Sequence, residues 1–301
     1  MTTAGRALRQ LRGQLPGLPI DAALCRVALG GSTTPGASYA VECALLDLQS
    51  RLAGVPLRRW LLGSHAEAVS DWIELNAVLG PAIRITEEGI ALAVESGYRV
   101  LKVKVACADP DTEIEHLARL SRALPTDARL RLDANGGWDL DTAGRVIAAL
   151  SGLPIESLEE PLDRPDSAGL ARLQDSTPFP LALDESLVRW AERDDSGPFP
   201  VRRAVIKPAV MGGVAATLGL AGRLRRLGIE VVLTGIIDSA AGLWATAQVS
   251  AAAQSPIPQG LATSAWLARD LGPPPIPKLG RLALPDAPGS GFEPFHAGGG
   301  A

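Results

Sequence analysis

From about residue 70 onward the chain alternates two rhythms of apolar and polar positions. Runs such as Val100–Ala106 (VLKVKVA) and Leu130–Asn135 (LRLDAN) alternate at a period of two, as a strand does. Between such runs, apolar residues recur at helical spacing, as in Asp111–Leu124 and Leu140–Leu150. The pattern predicts strands at Ile73–Leu79, Val100–Ala106, Leu130–Asn135, Ile155–Leu162, Leu181–Ser186, Ala204–Val210 and Glu230–Ile236, with a short one at Gln259–Thr263. It predicts helices at Thr86–Ser96, Asp111–Leu124, Leu140–Leu150, Ser167–Asp175, Val188–Arg193, Gly213–Leu227 and Ala240–Ala253. Strands separated by helices in this way predict an α/β protein with a TIM-like (β/α)8-type closure. An open doubly wound sheet would normally carry a Gly-rich loop after its first strand, and none is present there.

The first 70 residues read differently. Residues 1–30 are partly amphipathic and helical, closed by Gly30-Gly31, and a stronger helix follows with Val41, Ala44, Leu45, Leu48 and Leu52 on one face and Gly54 at its end. The expected organisation is a mostly helical N-terminal segment over 1–70, a barrel over 71–272, and a Pro/Gly-rich segment over 273–301. Within that last segment GRLALPDAPGSGFEP is expected to run back across the surface, with the final residues disordered.

Charged residues recur where the predicted strands run out. Asp133 and Asn135 end LRLDAN on one side of the strand, and Gly136-Gly137 then let the chain turn. Glu159 follows 26 residues later in SLEEPL, Asp184 another 25 later in LALDES, and Lys207 another 23 later in AVIKPAV. Such an interval holds a strand, a helix and two short loops of a parallel barrel, whose strand ends converge on one mouth. A single acidic residue at a strand end would read as a surface ion-pair partner; three at matched ends point to one cavity. Three carboxylates there resist ionisation unless a cation joins them, and all-oxygen ligation suits Mg²⁺ or Mn²⁺. Asn135, Glu160 and Glu185 lie beside Asp133, Glu159 and Asp184 and are candidates for orienting them.

Lys102 and Lys104 leave VLKVKV on the same side. The charge of Lys102 is expected to ease deprotonation of Lys104 and make it a competent general base. Lys207, four strands further round an eight-stranded ring, is expected to face Lys104 across the mouth. An isolated KxK would read as a solvated strand edge; a lysine opposite and an acidic triad between them point to chemistry. Removing a proton α to a carboxylate produces a dianionic enediolate, which a divalent ion and a nearby cation stabilise. Reprotonation then gives epimerisation, and loss of a β-substituent gives elimination. Gly212-Gly213, at a helix start, offers backbone N–H groups to an anion, with simple loop geometry as the alternative.

Composition narrows the partners. The chain has 301 residues, is 47% hydrophobic and 21% charged, and carries a net charge of −4 without basic runs, which argues against nucleic acid. No apolar run is long enough to span a bilayer, and the basic start (MTTAGRALRQLRGQLPG) lacks the apolar core of a secretory signal. Cys25, Cys43 and Cys107 have no CxxC spacing and are expected as free thiols in the cytoplasm. His65, His116 and His296 are too dispersed for a zinc site and are expected at surface or loop positions.

Taken together, KVK (102–104), LRLDAN (130–135), LEEP (158–161), LDES (183–186) and IKP (206–208) resemble the signature of the enolase superfamily, in its muconate-lactonising subgroup. The resemblance covers about residues 33–290, and LEEPL, IKPAVMGG and QGLATSAWLARDL are most similar to the o-succinylbenzoate synthases. It implies a modified barrel of (β/α)7β type and Mg²⁺ held by Asp133, Glu159 and Asp184. It implies Lys104 as base and then acid, Lys207 as the group stabilising the enediolate, and Lys102 in support of Lys104. The implied reaction is dehydration of a small-molecule carboxylate, 2-succinyl-6-hydroxy-2,4-cyclohexadiene-1-carboxylate, to an aromatic acid of menaquinone or phylloquinone biosynthesis. Thr234 and Gly235 in VVLTGIID align with the family's substrate-carboxylate loop. The family's β-rich capping region is expected to be reduced, because the segment before the first barrel strand reads as helical. The rival readings are an N-acylamino-acid racemase or dipeptide epimerase, and a non-catalytic metal-stabilised binding protein.

Overall fold

A computed structural model describes residues 2–28, 34–191 and 198–295. Gly30-Gly31, the end of the helix expected at Val188–Arg193, and His296 lie outside the described residues. The strands are β1 (Trp72–Glu74), β2 (Ala77–Pro81), β3 (Val100–Lys104), β4 (Arg129–Asp133), β5 (Ile155–Glu159), β6 (Leu181–Leu183), β7 (Arg203–Ile206), β8 (Glu230–Leu233) and β9 (Arg281–Ala283). From β2 to β8 they form a parallel sheet in sequential order. Its two edges are joined by Gln259 and Gly260, which bridge in parallel to Leu75 and Thr234 respectively. The predicted eighth strand is thus a two-residue bridge that closes the curled sheet.

The strand predicted at Ile73–Leu79 is two strands. The backbone N–H of Leu75 donates to Gly280 O at 2.9 Å, whereas that of Asn76 donates to Gln259 O at 3.0 Å. The chain therefore changes partner between neighbouring residues. β1 pairs antiparallel with β9 of the returning C-terminal segment, and β2 enters the parallel sheet beside β3. This explains why GRLAL returns across the surface as a paired strand.

Helices cover the outside of the sheet at Glu87–Glu95, Pro110–Ala123, Leu140–Leu150, Ser167–Asp175, Val214–Arg226 and Ala240–Ala252. Their starts are written in the sequence. Thr86, Asp109, Asp139 and Asp166 each accept a backbone N–H three residues on, at 2.8–3.1 Å. Leu101, Leu130, Leu132 and Leu158 pack outward against Leu117, Ile147 and Leu170 in the main core. Burying each such side chain contributes about 1.5–3 kcal/mol. A smaller apolar cluster of Ala182, Val205 and Val232 fills the inside of the ring below the mouth.

The N-terminal segment is helical, with helices at Thr3–Gln14, Ile20–Arg26, Pro35–Leu52 and Leu57–Leu62. It is fastened to the barrel by Tyr39 Oη and Thr246 Oγ1, 2.7 Å apart, and by Glu42, whose carboxylate accepts the N–H groups of Val214 and Ala215 at 2.8 and 3.0 Å. Cys25, Cys43 and Cys107 are free thiols. His65 is exposed, and the partly buried His116 ring bonds Ile85 O at 3.0 Å. No helix among the described residues is long and apolar enough to cross a membrane.

Candidate active site

Parallel register brings the charged strand ends level. Lys104 pairs with Asp133 across β3 and β4, and Asp133 with Glu159 across β4 and β5. Asp184 and Lys207 follow directly on the last residues of β6 and β7. Ligand atoms of Asp133, Glu159 and Asp184 lie within 4.8 Å of one another. Their side chains are only 1%, 1% and 3% exposed, so they face one another rather than water.

The lysines close round this triad. Lys104 Nζ is 2.6 Å from Asp133 Oδ2 and also donates to Asn135 Oδ1. Lys102 Nζ is 2.9 Å from the same Asp133 oxygen and donates to Glu159 Oε2. Lys207 Nζ meets the two Asp184 oxygens at 2.6 and 2.7 Å. Because β3 and β7 are separated by three strands, Lys104 and Lys207 approach the triad from opposite sides. Lys102 leaves β3 on the same side as Lys104, but two carboxylates already balance its charge. It is not the bare neighbouring cation that the sequence alone suggests.

Two of the companion residues, Glu160 and Asn135, hold the carboxylate-bearing segments in place. Glu160 Oε2 accepts the N–H groups of Asp184 and Ser186 at 2.8 and 3.3 Å. Asn135 donates its N–H to Asp133 Oδ1 and its Nδ2 to Glu185 Oε1, both at 3.0 Å. Asn135 and Glu160 have φ of +45° and +42°, in the left-handed region that non-glycine residues seldom occupy. Such strain, of order 1 kcal/mol or more each, persists where surrounding bonds hold it and concentrates at functional sites.

The electrostatics of the triad are uneven. Burial alone would lower the pKa of Lys102, but Glu159 and Asp133 outweigh it and hold the ammonium well above the usual lysine value. Burial would raise Asp133, yet Lys102 and Lys104 pull it below the ordinary carboxylate range. Asp184 goes the other way: burial, with Glu159 and Glu185 nearby, pushes it up to about 7 despite Lys207. A hard divalent cation among the three carboxylates would favour the ionised form of Asp184, and an all-carboxylate donor set fits such an ion.

The triad itself lines a cavity of about 300 Å³, together with Lys104, Lys207, Thr234 and Gly235. Gly212 and Gly213 are not brought into it. The anion their helix start meets is the chain's own Glu42, whose Oε2 would lie 2.0 Å from a Cβ on Gly213. A methyl group on Gly213 would therefore push the Glu42 carboxylate off these N–H groups. The lining also includes Asn76, Arg131, Ile236, Ile237 and Trp266, which pattern reading passed over. Arg131 was the most legible of these, because it precedes Asp133 by two and must share its side. The loop residues carry no periodic signal.

The curled parallel sheet thus carries an acidic triad and opposed lysines together at its strand ends. The family model for enolase C-terminal domain-like proteins matches residues 86–297, and the chain belongs to the enolase superfamily. It is 32% identical over 293 residues to the o-succinylbenzoate synthase of Thermobifida fusca (strain YX), covering 90% of this chain and 84% of that protein. It is 30% identical over 224 residues to the chloromuconate cycloisomerase of Cupriavidus pinatubonensis (strain JMP 134 / LMG 1197), covering 74% of this chain but only 60% of that protein. The crystal structure of muconate cycloisomerase from Pseudomonas fluorescens superposes with a TM-score of 0.79 at 27% identity, covering 91% of this chain and 76% of that one.

Proposed function

We propose that this protein is a cytoplasmic, Mg²⁺-dependent dehydratase that converts 2-succinyl-6-hydroxy-2,4-cyclohexadiene-1-carboxylate to o-succinylbenzoate in menaquinone or phylloquinone biosynthesis. The observation that carries the reading is the acidic triad set between Lys104 and Lys207. The similarity to an o-succinylbenzoate synthase over 90% of the chain supports the choice of reaction.

In this reading the segment 1–70 is a reduced helical cap, 71–272 the catalytic barrel and 273–301 the return segment. Asp133, Glu159 and Asp184 hold the ion. When bound, it supplies positive charge that stabilises the substrate carboxylate as it gains a second negative charge. Lys104 removes the proton from C1, α to the carboxylate, and later gives it to the departing C6 hydroxyl. The C–H electron pair becomes the new ring double bond as water leaves from the same face, and the ring is aromatic. Lys207 faces the opposite side of the ring and stabilises the enediolate with its ammonium. Lys102, fixed by Asp133 and Glu159, keeps the base strand in place. Thr234 and Gly235 lie where a substrate carboxylate can be met.

The experiment is turnover of the cyclohexadiene acid with Mg²⁺, followed by the absorbance of the aromatic product. Wild-type protein should form it, and a protein that holds Mg²⁺ but forms none would contradict the proposal. A second reading, racemisation of an N-acylamino acid or epimerisation of a dipeptide, is favoured by the opposed lysines alone. It requires deuterium from solvent at the α carbon of such a substrate, with configuration scrambled.

A further inference from the structure

Beneath the carboxylate triad, the floor of the cavity is formed by Arg131, which is 1% exposed. Its guanidinium is held from several directions. Nε and Nη2 donate to the two oxygens of Glu156 at 3.0 and 3.3 Å. Nη1 donates to Asn76 Oδ1 and to Pro258 O, both at 3.0 Å. These anchors come from β5, from the junction where the chain passes from β1 to β2, and from the segment that closes the ring.

Glu156 faces inward because the β4–β5 register slips by one residue. Leu130 pairs with Ile155 and Arg131 with Ser157, which leaves Glu156 as the extra residue. It is held there by Arg203 at 2.5 Å and by the Ser157 hydroxyl at 2.6 Å. Arg131 Nε also stands 4.0 Å from Oε1 of Glu159, whereas Lys102 engages Oε2. Lys102 thus bonds one oxygen of this carboxylate, while the charge of Arg131, whose Nε–H is spent on Glu156, faces the other without a hydrogen bond. A buried ion network adds little net stability over an apolar filling of the same volume. What it supplies here is a fixed guanidinium beside one carboxylate of the triad.

We propose that Arg131 is a positioning residue for the metal site. Clamped by Asn76, Pro258 and Glu156, it sets the orientation of Glu159 from below, so that the carboxylate meets the ion already aimed at the mouth. The inference rests on the reading of Asp133, Glu159 and Asp184 as metal ligands. It also links the seam of the barrel to the site: whatever loosens Pro258 or Asn76 loosens Arg131, and through it Glu159.

The test is titration of the full-length protein with Mn²⁺, read by the electron paramagnetic resonance of free and bound ion. Near-ultraviolet circular dichroism verifies the fold of each variant. Arg131→Met should bind Mn²⁺ roughly 10–100-fold more weakly than wild type, the usual cost of removing a partner that orients a ligand. Arg203→Met takes the other arginine from Glu156, one step further from the triad and with Asn76 and Pro258 still holding Arg131, and should weaken Mn²⁺ binding far less than Arg131→Met does. If Arg131→Met does not fold, Arg131→Lys keeps the charge but loses the fork, and it too should bind more weakly. Wild-type affinity in the Arg131 variant that folds, or equal loosening in Arg203→Met, would overturn the inference alone. No Mn²⁺ binding by wild type would overturn the metal reading and the inference with it.

Discussion

Lys104 and Asp133 illustrate how much of this site depends on single atoms. The ammonium sits on the carboxylate oxygen that Lys102 also uses, so the proposed base is parked on a metal-ligand candidate. In the proposed reaction Lys104 would be freed to act by another cation taking its place at Asp133. Lys104→Ala should therefore lower kcat by about 10²–10⁴, the range for loss of a general base, while Mg²⁺ binding measured by calorimetry persists. Loss of both together would assign Lys104 to the architecture of the site instead. Glu156 gives a second test at this scale. Burial opposes its charge, but Arg131 and Arg203 pull its pKa from 4.5 to about 2. A carboxylate lowered by folding stabilises the protein above its unfolded pKa and loses that contribution as pH falls through the folded value. The shift corresponds to roughly 3 kcal/mol. The difference in urea midpoint between wild type and Glu156→Gln should be full at pH 6 and shrink steadily from pH 4.5 towards 2.

At the scale of elements, the helix Val214–Arg226 is the most informative. Its first N–H groups are satisfied by Glu42 from the N-terminal segment rather than by a residue of their own loop. Gly213→Ala should destabilise, because the new methyl meets the Glu42 carboxylate. Gly219→Ala in the same helix, where a Cβ meets nothing within 4 Å, should stabilise by about 0.5–1 kcal/mol. Opposite signs in thermal melts would separate the two roles of glycine. Helix starts after Thr86, Asp139 and Asp166 were legible because capping is local chemistry, whereas the helix capped by Asp109 starts at Pro110, one residue before the expected Asp111. The partner change at Leu75–Asn76 was not legible, since an apolar run looks the same whichever strand it pairs with. Gly212-Gly213 read as an anion site for the same reason: the sequence shows a helix start but not that Glu42, 171 residues before Gly213, reaches it.

Over the whole molecule, the barrel is held shut by contacts distant in sequence. Arg58 is fully buried and joins the segment before β1, the helix Ala240–Ala252 and the C-terminal return. Its guanidinium bonds Asp71 at 2.5 Å, Pro285 O at 2.7 Å and Asp286 at 3.3 Å, and its N–H donates to Gln248 Oε1 at 3.1 Å. Arg58→Met should cost roughly 2–3 kcal/mol, as expected for losing hydrogen bonds to a buried charge, and should speed proteolysis within the return segment. The repeated strand-end motifs made the barrel and the triad readable, because equal intervals in a parallel barrel force equal heights at its mouth. Arg58 was not, because most of its partners lie far away in the chain and obey no period; of the partners of Arg131 only Glu156 stands one β/α interval away, while Asn76 and Pro258 do not.

The central claim is that Asp133, Glu159 and Asp184 share one divalent ion between Lys104 and Lys207. An anomalous difference map from crystals soaked in Mn²⁺ tests it most directly. One peak coordinated by an oxygen from each carboxylate, with both lysines flanking it, is the predicted result. No peak at the triad, or a peak ligated elsewhere, would contradict it.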